Sequence, residues 1–216
     1  MLDLLNINNT AFTVMSYPMS YLELLGVIFN LACVILVARK NILTWPVGLI
    51  GAGLFITMFW QIQLYSDAIL NGYFVITGIM GWVMWNRQAK EPAVKVQYGF
   101  SGRTTLIYTV LATLLLTLLW GSFMAQAHML LPSVFTQPAA YPMWDAAILM
   151  ASFIAQWLMM RKRTECWVYW IAVDLMAIAL YWIKDIKFTS GLYVVFLGMA
   201  TYGLIHWISS SKKAVR

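Results

Sequence analysis

One carboxylate stands in the middle of a stretch that is otherwise apolar. Asp174 is the ninth residue of the eighteen in Cys166–Ile183, CWVYWIAVDLMAIALYWI. At a rise of about 1.5 Å per residue, such a helix nearly crosses a hydrocarbon core of about 30 Å. Asp174 would then lie close to the bilayer midplane, where a carboxylate costs about 2.5–3.5 kcal/mol and faces a bundle interior or a polar cavity. Trp170 precedes it by four residues, and Trp167 and Tyr181 stand seven residues to either side. These spacings gather three rings and one carboxylate on roughly one helix face. A negative charge framed by aromatic faces can seat an aromatic cation. The competing reading is a buried Asp bonded to a neighbouring helix, with the Trp residues as packing or interface anchors. Ionisable residues inside membranes are functional by default, so the expectation here is a binding site.

The rest of the chain must be a membrane body that positions this face. Of its 216 residues, 62% are hydrophobic and 10% charged, against about 25% charged in soluble proteins. The net charge of +6 is no nucleic-acid signal, because the basic residues lie in short connections between apolar spans. Cys33 and Cys166 fall within or beside spans and read as small apolar residues rather than a disulfide. The N-terminal MLDLLNINNTAF lacks a basic region and a small-residue cleavage site, so no cleaved signal peptide is expected.

After a short lead, read as an interfacial helix, seven spans are expected: Tyr21–Ala38, Leu43–Ile62, Ala68–Trp85, Thr105–Met124, Met143–Met160, Cys166–Ile183 and Thr189–Ser209. Arg39, Lys40, Arg87, Lys90, Lys95, Arg103, Arg161, Lys162, Arg163, Lys212, Lys213 and Arg216 then share one side, and only Lys184 and Lys187 the other. The positive-inside rule puts the N-terminus outside and the C-terminus in the cytoplasm. Ala125–Pro142 reads as an exoplasmic loop and Asn86–Arg103 as a cytoplasmic linker.

A repeat underlies the spans. Shifting the chain by 122 residues lays spans 1–3 on spans 5–7 without a gap. Glu23 meets Asp145, Arg39-Lys40 meets Arg161-Lys162, and Trp45, Trp60 and Trp85 meet Trp167, Trp182 and Trp207. Phe74 meets Phe196 and Gly81 meets Gly203. The offset contains an even number of helices, so the halves point the same way, about an axis along the membrane normal. The expected fold is therefore all-α integral membrane, seven transmembrane helices in a parallel 3+1+3 arrangement. Repeat one is 20–86, the linker helix 104–125 and repeat two 142–208. Substrates of such proteins bind near the midplane between the repeats. There the halves differ: Asp174 meets Ala52, Asn71 meets Tyr193 and Tyr202 meets Met80. Glu23 and Asp145 read as helix N-terminal carboxylates, with a paired or gating role as the alternative.

QIQLY at Gln61–Tyr65, the following SDAILNGYF, GWVMW at Gly81–Trp85 with Asn86-Arg87, and W-x6-D from Trp167 resemble the PnuC family of bacterial vitamin transporters. The resemblance covers nearly the whole chain. It implies a seven-helix plan like that of SWEET sugar transporters, often trimeric, in the bacterial inner membrane. It also implies facilitated diffusion of an unphosphorylated vitamin, trapped by a cytoplasmic kinase, with no cofactor. Nicotinamide riboside members typically carry Gln where Asn71 stands, Asn where Asp174 stands, and N-x-Y-G-W where this chain has Gly78-Ile79-Met80-Gly81-Trp82. These departures resemble the thiamine-transporting branch, and a thiazolium cation suits Asp174. Nicotinamide riboside, also an aromatic cation, is the alternative. The candidate substrate-binding residues are Asp174, Asn71, Trp167, Trp170, Tyr181, Trp45, Gln61, Trp82 and Tyr202.

Other classes fit less well. HExxH, GxSxG and intramembrane Ser-Lys or Asp-Asp pairs are absent, and His128 and His206 have no metal partner at ligand spacing. The last span has no lysine for a retinal Schiff base. Asp174 alone is clearly central among acidic residues, so ion coupling is not expected. A non-transporting membrane subunit or receptor is the reading from another class.

Overall fold

The computed structural model describes residues 5–14, 17–61, 65–90, 98–133, 135, 138–184 and 187–214. Among the described residues are seven helices: α1 (Tyr21–Ala38), α2 (Thr44–Gln61), α3 (Tyr65–Lys90), α4 (Arg103–Leu130), α5 (Pro142–Met160), α6 (Cys166–Ile183) and α7 (Lys187–Ala214). Among the described residues, five helices are long and apolar enough to cross a membrane: α1, α4, α5, α6 and Thr189–Ser210 of α7. The two others carry more Gly, Trp and polar side chains, which lower their mean hydropathy. α3, α4 and α7 run past the expected spans because Gln, Arg, Lys and Ala sustain a helix outside the hydrocarbon. In particular, α4 reaches Leu130, which shortens the expected outer loop.

The lead segment corrects the expectation of a helix. Thr10–Val14 (β1) and Tyr17–Ser20 (β2) form an antiparallel hairpin. Phe12, Thr13, Val14 and Tyr17 are aromatic or β-branched, and such side chains favour a pleated strand over a helix. The hairpin delivers Ser20 to the start of α1, where its hydroxyl accepts the Glu23 N–H at 3.1 Å. The Tyr17 hydroxyl donates to both Glu23 oxygens at 2.9 and 3.0 Å. Burial first, then the Glu23 bond and charge, push the Tyr17 phenol up to about 12. The equivalent carboxylate, Asp145, takes Lys184 at 3.3 Å instead. Both acids sit in a helix first turn, and both are paired.

In the bundle α2 packs between α1 and α3, and α6 between α5 and α7. α1 meets α7, α3 meets α5, and α4 lies against α5. Trp45 lies edge-on to Trp85 at 5.3 Å, and Trp167 edge-on to Trp207 at 5.6 Å. A Cβ on Gly81 would enter the Trp45 ring, and one on Gly203 the Trp167 ring, so only glycine lets these rings lie flat on the next helix. The Trp85 indole N–H donates to Met160 O at 3.0 Å, and that of Trp207 to Val37 O at 3.1 Å. The first bond ties α3 to the end of α5, and the second ties α7 to the end of α1.

Those helix ends share a second device. Lys40 N donates to Val37 O and Asn41 N to Leu36 O, both at 2.9 Å. Lys162 N donates to Met159 O and Arg163 N to Leu158 O. Both are Schellman turns, with φ of 59° at Lys40 and 57° at Lys162, where glycine is the usual residue. Tyr98 lies between the two turns. Lys40 Nζ stands 4.1 Å from its ring centroid and Lys162 Nζ 5.3 Å. The ring also meets Trp85 at 5.9 Å and Trp207 at 4.6 Å. Burial holds both ammonium groups below the ordinary lysine value. The lysines thus accept left-handed backbone where it sets their cationic heads over one shared ring.

Candidate functional site

Asp174 lies at the middle of α6 and is buried, with 4% of its surface exposed. One turn earlier, Trp170 turns its ring toward α3 and meets Phe74 at 6.4 Å. Phe74 stands three residues after Asn71, which is 8% exposed, so these two share a face of α3. Asn71 and Asp174 thus each lie about one turn from that ring contact, on their own helices. Tyr73 extends the aromatic wall: its ring meets Phe153 of α5 at 4.3 Å, and its hydroxyl donates to Phe153 O at 3.1 Å. The Trp170 indole N–H is buried and has no acceptor among the described residues.

This arrangement has a definite chemistry. The buried carboxylate is the negative group, and Trp170 stands one helical turn from it with its ring in contact with Phe74. A planar cation placed there gains Coulomb attraction and stacking at once. The unused indole donor adds a polar contact, since an orphaned buried donor costs about 1–3 kcal/mol until something accepts it.

The other candidates fall elsewhere. Trp45 and Trp167 are buried, at 4% and 1% exposure, within the Trp–Gly packing described above. Their indole N–H groups also lack an acceptor among the described residues. Tyr181 stacks on Tyr193 at 5.5 Å, with planes 14° apart. Trp82 and Tyr202 lie on exposed helix faces, and Tyr202 stacks on His206 at 5.8 Å. Gln61 is far from the α3–α6 contact in its bonding. Its Oε1 accepts the Ile7 N–H at 3.0 Å, and its Nε2 donates to Leu5 O at 2.7 Å, so it anchors the lead segment to the end of α2. Of the nine candidates, Asp174 and Asn71 lie within about one turn of the ring contact that Trp170 makes with Phe74, and Tyr73 links Phe74 to Phe153. Phe74 carried one usable signal, its register with Phe196 in the repeat; Tyr73 and Phe153 look in sequence like any aromatic residue in an apolar span.

The family model described as nicotinamide mononucleotide transporter matches residues 20–209. The chain is 27% identical over 212 residues to the nicotinamide riboside transporter PnuC of Escherichia coli (strain K12), covering 91% of this chain and 89% of that one. It is 24% identical over 215 residues to the riboflavin/roseoflavin transporter RibM of Streptomyces davaonensis, covering 97% and 95%. The crystal structure of the vitamin B3 transporter PnuC superposes with a TM-score of 0.69 at 24% identity, over 89% of this chain and 83% of that one. That last likeness bears on the fold.

Proposed function

We propose a function on one premise: this chain belongs to the nicotinamide mononucleotide transporter family. It is an integral membrane transporter and not an enzyme. We infer that its cargo is an unphosphorylated vitamin carrying an aromatic cation, with nicotinamide riboside as the first candidate. The observation that carries this reading is the buried Asp174 carboxylate beside Trp170, whose ring meets Phe74 across the α3–α6 contact. The pyridinium ring would lie against Trp170 and Phe74 with its charge toward Asp174, and Asn71 would face it from α3.

The sequence favoured thiamine over nicotinamide riboside. Relatives named for nicotinamide riboside and for riboflavin support the order stated here instead. Thiamine stays as the second reading, because Asp174 stands where nicotinamide riboside members typically carry Asn, and a thiazolium fits the same wall. Titration of purified protein with the three vitamins, followed by calorimetry, separates them. Binding of nicotinamide riboside with neutral riboflavin excluded supports the first reading. Binding of thiamine alone replaces it, and binding of riboflavin alone removes Asp174 as a charge partner.

The same proposal covers the assembly and its orientation. The matched Trp–Gly packing, crossed indole bonds and twin Schellman turns support two parallel triads joined by α4 as a linker. The basic residues support an outside N-terminus and a cytoplasmic C-terminus. Transport is by facilitated diffusion, with a cytoplasmic kinase as the trap, and the exposed apolar face of α4 is available for a homotrimer.

A further inference from the structure

At the end of the bundle opposite the hairpin is a polar cavity of about 110 Å³, lined by Ser101, Gly102, Thr105, Trp157, Arg161 and Arg163 together with Leu158. It does not belong to the Asp174 site. Two arginines converge on it. Arg161 lays its guanidinium 4.2 Å over the Trp157 ring, and Arg163 is half-buried in the turn after α5. Neither has a carboxylate at ion-pair distance among the described residues, where Lys184–Asp145 is the pair that forms. The nearest acid in the chain, Glu165, is buried and turned to the Ser101 N–H, 3.2 Å from each of its oxygens. That bond, with Thr164 N donating to Gly99 O at 3.0 Å, fixes the approach to α4 against the turn after α5 and so builds the cavity wall. Thr105 also lines the cavity, and the first turn of α4 has neither an acidic residue nor a side-chain cap.

We propose that this cavity binds the phosphate of an anionic phospholipid from the leaflet next to it, the cytoplasmic one in the proposed orientation. Guanidinium forks match phosphate oxygens, and basic pockets at the cytoplasmic ends of transmembrane helices hold anionic headgroups. A lipid is favoured over free phosphate because an apolar track leaves the cavity. From Thr105 the helical spacing runs to Tyr108, Leu111 and Leu115, which are 67%, 55% and 57% exposed and line a course for an acyl chain. Trp157, at the rim under Arg161, is a residue type that favours the headgroup level.

The test uses the full-length protein in detergent, with phosphatidylglycerol against phosphatidylcholine and native mass spectrometry as readout. Wild type should retain phosphatidylglycerol selectively. Arg161→Gln with Arg163→Gln should weaken retention about 30-fold, at about fivefold for each basic residue near the surface. Arg87→Gln, a charge change elsewhere on the same side, should leave it unchanged. Arg163→Lys keeps the charge, loses the fork and should weaken retention several-fold, which serves if the double variant fails to fold. Retention unaltered in the variants that fold, or lost equally in Arg87→Gln, overturns the proposal. Displacement of the lipid by millimolar inorganic phosphate overturns the lipid assignment and makes this a soluble-phosphate site. None of these outcomes depends on vitamin transport.

Discussion

Asp174→Asn removes one charge from the bundle and almost nothing else. The side chain keeps its size and planar shape, so the α6 packing around it, buried at Val173 and Ala177, is undisturbed. A cation stacked against Trp170, one helical turn away, would have its charge about 5 Å from the carboxylate. At an effective dielectric of about 20, two unit charges at that distance attract by about 3 kcal/mol. That corresponds to about 150-fold in affinity, and the lower bound for a charge-assisted contact, about 1.5 kcal/mol, still gives about tenfold. Stability should move the other way or not at all. A buried carboxylate without a partner is a cost to the folded state, so the Asn variant should melt at or above the wild-type temperature. The assay is calorimetric titration of nicotinamide riboside into both proteins, with a thermal melt of each. Trp170→Phe separates the other contact, since it keeps a ring against Phe74 and deletes the indole donor. An Asn variant that folds and binds as tightly as wild type refutes the argument. One that melts lower while keeping its affinity assigns Asp174 to folding.

The remaining predictions follow from the frame around the site. Gly81→Ala and Gly203→Ala each drive a methyl into a tryptophan ring and should cost about 1–3 kcal/mol, similar at both positions, read as lowered thermal midpoints. Tyr98→Leu removes the ring shared by Lys40 and Lys162 and should destabilise by about 0.5–1 kcal/mol for each ammonium, more than either Lys→Met change alone. Tyr17 has a folded-state value raised to about 12 over an ordinary value of about 10, so its contribution is complete below pH 10 and lost as the pH rises through about 12. Tyr17→Phe should abolish that part of the alkaline loss, measured as the wild-type minus variant difference in melting between pH 9 and 12.

The membrane helices were legible because hydrophobic length is the strongest signal in such a chain. α1 and α6 have the bounds that the apolar runs alone give, Tyr21–Ala38 and Cys166–Ile183. The hairpin was not, because eleven residues of mixed Thr, Phe, Tyr and Pro carry no helical period, and the side-chain bond that ties Tyr17 down comes from Glu23 on the next helix. Asp174 announced itself as a charge among apolar neighbours. Trp45 and Trp167, each at the start of a span, read in sequence as rings for a ligand, and the structure packs each against a glycine of the next helix, a contact the sequence does not display. Phe74 was hidden because its importance lies in which helix it faces, and the sequence carries no contact between α3 and α6.

Passage of the vitamin itself is the most direct measurement. Purified protein is reconstituted into vesicles with no proton or sodium gradient, and radiolabelled nicotinamide riboside is added outside. The account predicts saturable entry that stops at equal concentrations on the two sides, is competed by unlabelled vitamin, and is strongly slowed in Asp174→Asn at sub-saturating substrate. Entry no faster than into protein-free vesicles, or accumulation above the outside concentration driven by an imposed ion gradient, would contradict it.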